Sequence, residues 1–115
     1  MNIIIVGCGK VGSTLVEQLS GENHNIVVID EKEEKVKSIT DEMDAMGIVG
    51  NGVSYQTLLE ANIRRADLLI AVTGSDEQNL LCCVIAKKTG NCKTIARVRN
   101  QIGRASCRER VFVLV

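Results

Sequence analysis

A run of β-branched residues, Ile3-Ile4-Ile5-Val6, leads directly into Gly7-Cys8-Gly9-Lys10-Val11-Gly12. A G-x-G-x-x-G segment between an apolar run and a helical pattern constrains this chain more than any other feature. The spacing suits the first strand–turn–helix unit of a parallel sheet that binds a nucleotide. Gly7 permits the tight turn, Gly9 lets a pyrophosphate approach the backbone, and Gly12 lets the helix close on the sheet. The first N–H groups of the helix then face the phosphates. The alternative is a glycine turn whose sole task is packing helix against strand.

The rest of the chain repeats the same grammar. Apolar runs return at Ile26-Val27-Val28-Ile29, Ile48-Val49, Leu68-Leu69-Ile70-Ala71-Val72 and Thr94-Ile95-Ala96-Arg97-Val98. Runs without polar alternation are strands covered on both faces. Between them the period becomes helical. Val11, Leu15 and Leu19 space one apolar stripe that stops near Gly21, and Val36, Ile39 and Met43 space a second. A third helix, carrying Leu58 and Leu59, starts around Ser54. A fourth opens on a Ser75-x-x-Gln78 capping box with Asp76 and Glu77 in its first turn. Its stripe is read through Leu81, Val84 and Ile85, and Gly90 is its expected stop. Strands alternating with helices predict a Rossmann-like, doubly wound α/β fold of three layers. The expected strand order is 3-2-1-4-5, with room for a sixth strand.

Charge and composition exclude other classes. The 115 residues carry 14 Lys plus Arg and 14 Asp plus Glu, a formal net charge of zero. A nucleic-acid binder needs a basic face, and a single-strand binder needs stacking aromatics. Tyr55 and Phe112 are the only aromatics. No apolar run reaches the ~20 residues that span a bilayer, so no direct membrane insertion is expected. Met1 leads straight into the first strand, which does not read as a signal peptide. These features predict a cytoplasmic protein. The five cysteines, with no C-x-x-C pair, and the single His24 offer no zinc constellation. They read as reduced, buried thiols, with Cys8 held open because a helix N-terminus would stabilise its thiolate.

Asp30 ends the second run, about 20 residues beyond the glycine loop, where a carboxylate accepts the ribose hydroxyls of an adenosine. It also suits a helix N-cap for the following segment. A carboxylate here, with Glu31 and Glu33 nearby and no arginine following, argues against a 2′-phosphate and so against NADP. The other strand ends, Gly50-Asn51-Gly52, Thr73-Gly74-Ser75 and Arg99-Asn100, fall on the same sheet edge. Ligands of open α/β sheets bind there, at the switch point between the first and fourth strands.

At these residues the sequence resembles the N-terminal nucleotide-binding (RCK or KTN) domain of TrkA, the regulatory subunit of bacterial potassium uptake systems. The resemblance rests on Ile3 to Gly12, Val28-Ile29-Asp30, Gly50-Asn51-Gly52, Thr73-Gly74-Ser75-Asp76-Glu77-Gln78-Asn79 and Ala96-Arg97-Val98. It covers residues 1–100. It implies that Gly7, Gly9, Val11 and Gly12 hold phosphates and that Asp30 holds the adenosine ribose. Asn51 and Gly52 would border the adenine, although the family often carries Asp at the position of Asn51. Thr73, Gly74 and Asn79 would face the rest of the ligand. Lys10 would reach a phosphate as a point charge or stay solvated, and Arg97 would serve as an internal ion-pair partner. The implied ligand is NAD(H) or ATP/ADP. The implied partners are a membrane potassium transporter subunit and further copies of the chain, as a dimer or tetramer.

Residues 101–115 depart from the family pattern and read as a tail of foreign origin, from a vector or a changed reading frame. The apolar Val111–Val115 run is expected to pair with an open sheet edge or to drive aggregation.

Two functional classes stand at this point, beside a ligand-free interaction module that would keep the fold but ignore the glycine loop. One is a regulatory domain that gates a transporter, with no catalytic or metal-binding residues. The other is a fragment of an NAD-dependent oxidoreductase, which would use the same loop and Asp30. His24 near the start of the second strand, a single tyrosine and no Tyr-x-x-x-Lys pair weigh against the second.

Overall fold

The structure is a computed structural model, and it describes residues 1–98 and the strand 110–114. The chain alternates β1 (Asn2–Val6), α1 (Lys10–Ser20), β2 (Asn25–Asp30), α2 (Glu33–Glu42), β3 (Met46–Val49), α3 (Tyr55–Glu60), β4 (Leu68–Ala71), α4 (Asp76–Thr89) and β5 (Lys93–Val98). A 3₁₀ turn at Ile63–Arg65 links α3 to β4. A last strand, β6 (Arg110–Leu114), completes the sheet.

The sheet order is β3-β2-β1-β4-β5-β6. The first five strands are parallel, with Ile3 paired to both Ile26 and Leu68 in the centre. The sixth runs antiparallel to β5, with Thr94 opposite Leu114. The tail run therefore lies on an open sheet edge. Val115, Arg99, Asn100, Arg104, Cys107 and Arg108 lie outside the described residues, so the expectations placed on them have no structural counterpart.

Alternation along β1 builds two cores. Ile3 and Ile5 point into a cluster with Val16 of α1 and Val36 and Ile39 of α2. Ile4 and Val6 point into the opposite cluster, with Leu58 of α3 and Cys82, Cys83 and Ala86 of α4. Both faces of the central strands are thus covered, which explains why their sequences read as unbroken apolar runs.

The helix faces differ from the sequence reading in two places. In α1 the buried residues are Gly12 and Val16, while Val11, Leu15 and Leu19 flank that line. In α4 the buried face is Asn79, Cys82, Cys83 and Ala86. Leu81 is 50% exposed and Val84 44% exposed, and only Ile85 of the expected stripe packs against the core. Small residues let α4 sit close against β4 and β5, and its larger aliphatics point outward. Ser75 caps α4 as expected, accepting the Gln78 N–H at 3.3 Å, and Gly90 ends it.

Candidate functional site

The carboxyl ends of β1, β2, β4 and β5 surround a cleft of about 620 Å³. That volume lies within the range of small-molecule and cofactor sites. Each loop glycine has a separate physical reason. Gly7 has φ +109°, and its N–H donates to the Ile29 carbonyl at 2.7 Å, so the chain leaves the sheet in a left-handed turn. A Cβ on Gly7 would also meet the Val72 carbonyl group at 2.9 Å. A Cβ on Gly12 would overlap the Gly7 carbonyl oxygen, so Gly12 sets the contact of α1 with the loop.

Gly9 is different. Its backbone is extended, at φ −78° and ψ −158°, and an ideal Cβ there meets no heavy atom within 4 Å. Nothing in the packing of the chain asks for glycine at this position. It stands at the N-cap of α1, which has no side-chain cap, and it lines the cleft beside Lys10 and Val11. The helix amides and the open space before Gly9 form the cradle that a phosphate would fill. Gly74, on the other side of the cleft, is open in the same way.

Asp30 ends β2 on the cleft wall. Its Oδ2 accepts the Cys8 N–H at 2.8 Å, which ties the glycine loop to β2. Its Oδ1 accepts the Lys32 N–H at 2.9 Å and shapes the turn into α2. Lys32, not Asp30, occupies the N-cap of α2. Each carboxylate oxygen carries more than one lone pair, so both remain able to accept a ribose hydroxyl.

The wall is more cationic than the sequence reading held. Glu31 lines the cleft, but so do Lys32 and Lys35. With Lys10 and Arg97 they set four cations against the two carboxylates Asp30 and Glu31. That balance suits a polyanionic ligand, while Asp30 and Glu31 keep like charge where a 2′-phosphate would come. Gln78, in the first turn of α4, is a further wall residue that sequence reasoning missed.

Of the residues singled out in sequence, Gly7, Gly9, Lys10, Val11, Asp30, Gly52, Thr73, Gly74 and Arg97 share the wall. Gly12, Asn51 and Asn79 do not. Asn51 is exposed, and its Oδ1 accepts the Val53 N–H at 3.0 Å, an Asx turn that holds the β3–α3 loop. Asn79 is fully buried behind the wall. Arg97 is 7% exposed and its Nη2 donates to the Thr73 carbonyl at 2.9 Å, so it braces the neighbouring strand end.

Cys8 does not carry a stabilised thiolate. Burial pushes its thiol up to about 12, the Asp30 carboxylate adds to that, and Lys35 offsets only part. The helix N-terminus is directed at the cleft, whereas the Cys8 side chain packs into the core with Val16 and Ile70. Burial likewise raises Cys82 to about 12 and Cys83 to about 11, and it raises Cys92. Among the described residues no group of His, Cys, Asp or Glu is placed to hold a metal ion. His24 precedes β2 at the opposite sheet edge and meets the Met1 amino group at 3.3 Å. The Tyr55 hydroxyl accepts from Arg64 Nη2 at 3.2 Å, and neither ring lines the cleft.

Comparison with known proteins agrees with this geometry. The family model described as the TrkA-N domain matches residues 3–110. A Trk system potassium uptake protein TrkA homolog of Methanothermobacter thermautotrophicus is 42% identical over 100 residues, covering 87% of this chain and 46% of its own. The TrkA protein of Vibrio alginolyticus is 38% identical over 101 residues, covering 87% of this chain and 22% of its own. The chain thus spans less than half the length of these curated relatives. Among solved structures, the GsuK channel bound to NAD superimposes with a TM-score of 0.77 at 22% identity, over 88% of this chain and 18% of that one. The TrkA-N domain of inner membrane protein ybaL from Escherichia coli gives 0.75 at 21% identity, over 81% and 69%. At these identities the structural likeness establishes the Rossmann-like fold.

Proposed function

Because this chain belongs to the TrkA-N domain family, we propose that it is a regulatory ligand-binding domain of a potassium uptake system. It binds NAD(H) or an adenine nucleotide, ATP or ADP, and passes the occupancy of the cleft to a membrane transporter subunit. A ligand biases a two-state assembly only when it binds one state better, so the domain acts as a homo-oligomer whose subunits rearrange on binding. It works in the cytoplasm, at the inner face of the membrane through its partner. Among the described residues no helix is long and apolar enough to cross a membrane. Residues 1–100 carry the nucleotide unit, and the tail lies outside recognition.

One observation carries the nucleotide reading. Gly9 faces open space, in a conformation any residue adopts, at the uncapped start of a helix in a cleft that four cations line. The adenosine is assigned to Asp30 and Gly52, the phosphates to Gly9, Lys10 and the first amides of α1. The TrkA homologues support the potassium uptake role, and the GsuK neighbour bound to NAD supports a nucleotide ligand. A non-enzymatic role is favoured because His24 and Tyr55 both stand away from the cleft.

Calorimetric titration with NADH, NAD, ATP and ADP tests the binding. Incubation with NADH and aldehyde or keto-acid substrates tests the role. Saturable binding without turnover supports the sensor, and turnover would support an oxidoreductase.

A further inference from the structure

Asn79 lies on α4 with 0% of its surface exposed, at a depth where an aliphatic side chain of its size would ordinarily sit. Its amide is instead spent on two residues. The Oδ1 accepts the Thr73 N–H at 2.9 Å and the Thr73 hydroxyl at 2.6 Å. The Nδ2 donates to the Thr73 carbonyl at 3.1 Å and to the Arg97 carbonyl at 2.8 Å. Thr73 and Arg97 both line the cleft opposite Asp30, and Arg97 Nη2 closes the set by donating to the same Thr73 carbonyl at 2.9 Å. One buried side chain therefore joins the end of β4, the start of α4 and the end of β5. Both the Oδ1 and the Nδ2 of this buried amide are engaged, and a buried polar side chain bonded in this way favours one geometry.

We propose that Asn79 is a positioning residue: it touches no ligand, and it holds Thr73, Gly74 and Arg97 where they meet the part of a nucleotide beyond its α-phosphate. The inference rests on the nucleotide reading above. The near half of the cleft, built by Asp30 and the glycine loop, has no bond to Asn79. A ligand confined to that half is therefore indifferent to it, while a longer ligand is not. Because Asn79 belongs to α4, it also places the start of that helix under the control of whatever occupies the far wall.

The test compares AMP with NADH and ATP by titration calorimetry on the full chain, parent against Asn79→Ala. The expected result is a loss of at least about tenfold in affinity for whichever longer nucleotide the parent binds. The AMP affinity should change by less than about twofold. Equal loss for AMP and the longer ligand would overturn the proposal, as a general loosening of the domain does that. No loss for either would overturn it as well. Asn79→Ser serves if the alanine variant does not fold, since it leaves a small uncharged hydroxyl that is too short to bridge Thr73 and Arg97 as the amide does. It should show the same selective loss.

A second reading needs no variant. In the parent protein, hydrogen exchange at the Thr73 amide should slow more with the longer nucleotide than with AMP, and equal slowing would contradict the assignment. A parent protein that binds none of the three fails the nucleotide reading itself, and selective loss cannot be confused with that outcome.

Discussion

Replacing Gly9 separates stability from binding, because the two should respond in different ways. In a packing turn, a side chain at a loop glycine clashes and the fold suffers. Here an ideal Cβ has no neighbour within 4 Å, and φ is −78°. Removing the glycine restricts the unfolded chain, a gain of roughly 0.4–1 kcal/mol. Against this, alanine or valine is a poorer N-cap than glycine by about the same amount. The two terms nearly cancel, so Gly9→Ala and Gly9→Val should unfold within ~1 kcal/mol of the parent. For a domain of this size that is a shift in Tm below about 8 °C. Binding should respond far more. The new side chain takes the space into which the phosphate must come to meet the α1 amides. Each charge-assisted hydrogen bond lost there costs about 1.5–3 kcal/mol, so losing two weakens binding by roughly 10²–10⁴. Gly9→Ala should fall toward the weaker end of that range and Gly9→Val toward the stronger. Thermal unfolding by circular dichroism and titration of NADH and ATP measure the two halves. A folded Gly9→Val protein with unchanged affinity would refute the reasoning, and the loop would then be only a turn.

Further outcomes follow from the same geometry. Asp30→Ala should weaken adenine nucleotides by at least about 1 kcal/mol, since it removes a charged acceptor. It should also lower the Tm, because the Cys8 and Lys32 amides lose their partner. Asp30→Asn should recover part of the stability and less of the affinity, and calorimetry with thermal melts distinguishes the two. Gly12→Ala should behave unlike Gly9→Ala and destabilise the fold, because its Cβ overlaps the Gly7 carbonyl; urea titration reads the loss. The thiols predict an alkaline limit. Cys8 and Cys82 ionise near 12 when folded and near 9.0 when exposed, so the folded state holds protons that the unfolded state releases. Stability should be flat below about pH 9 and fall above it, by roughly 1.4 kcal/mol per pH unit for each such thiol. Urea midpoints from pH 7 to 10.5 check the sign.

The parallel sheet was legible because burial on both faces leaves a chemical trace: Ile3 to Val6 and Ile26 to Ile29 contain no polar residue. The glycine loop and Asp30 were legible because their spacing is dictated by backbone geometry. The buried face of α4 was not, since hydropathy picks out Leu81 and Val84 over Cys82, Cys83 and Ala86. Close packing on β4 and β5 favours the small side chains, and a stripe rule blind to volume points the wrong way. Asn79 shows the same gap. Its place in the Thr73–Asn79 segment marked it for the ligand, but only the fold reveals that its amide faces inward. Lys32, Lys35 and Gln78 reach the cleft because the first turns of α2 and α4 rise from the sheet edge. No local pattern in their own segments signals that. The antiparallel sense of β6 is not something a short apolar run encodes.

The account stands or falls on whether the cleft takes a nucleotide through the glycine loop. One calorimetric panel of NADH, NAD, ATP and ADP, run on the parent chain and on Gly9→Val, tests it directly. At least one of the four should bind the parent saturably, with one site per chain, and give no measurable binding to the folded variant. No heat of binding to the parent from any of the four, or equal binding to both proteins, would contradict it.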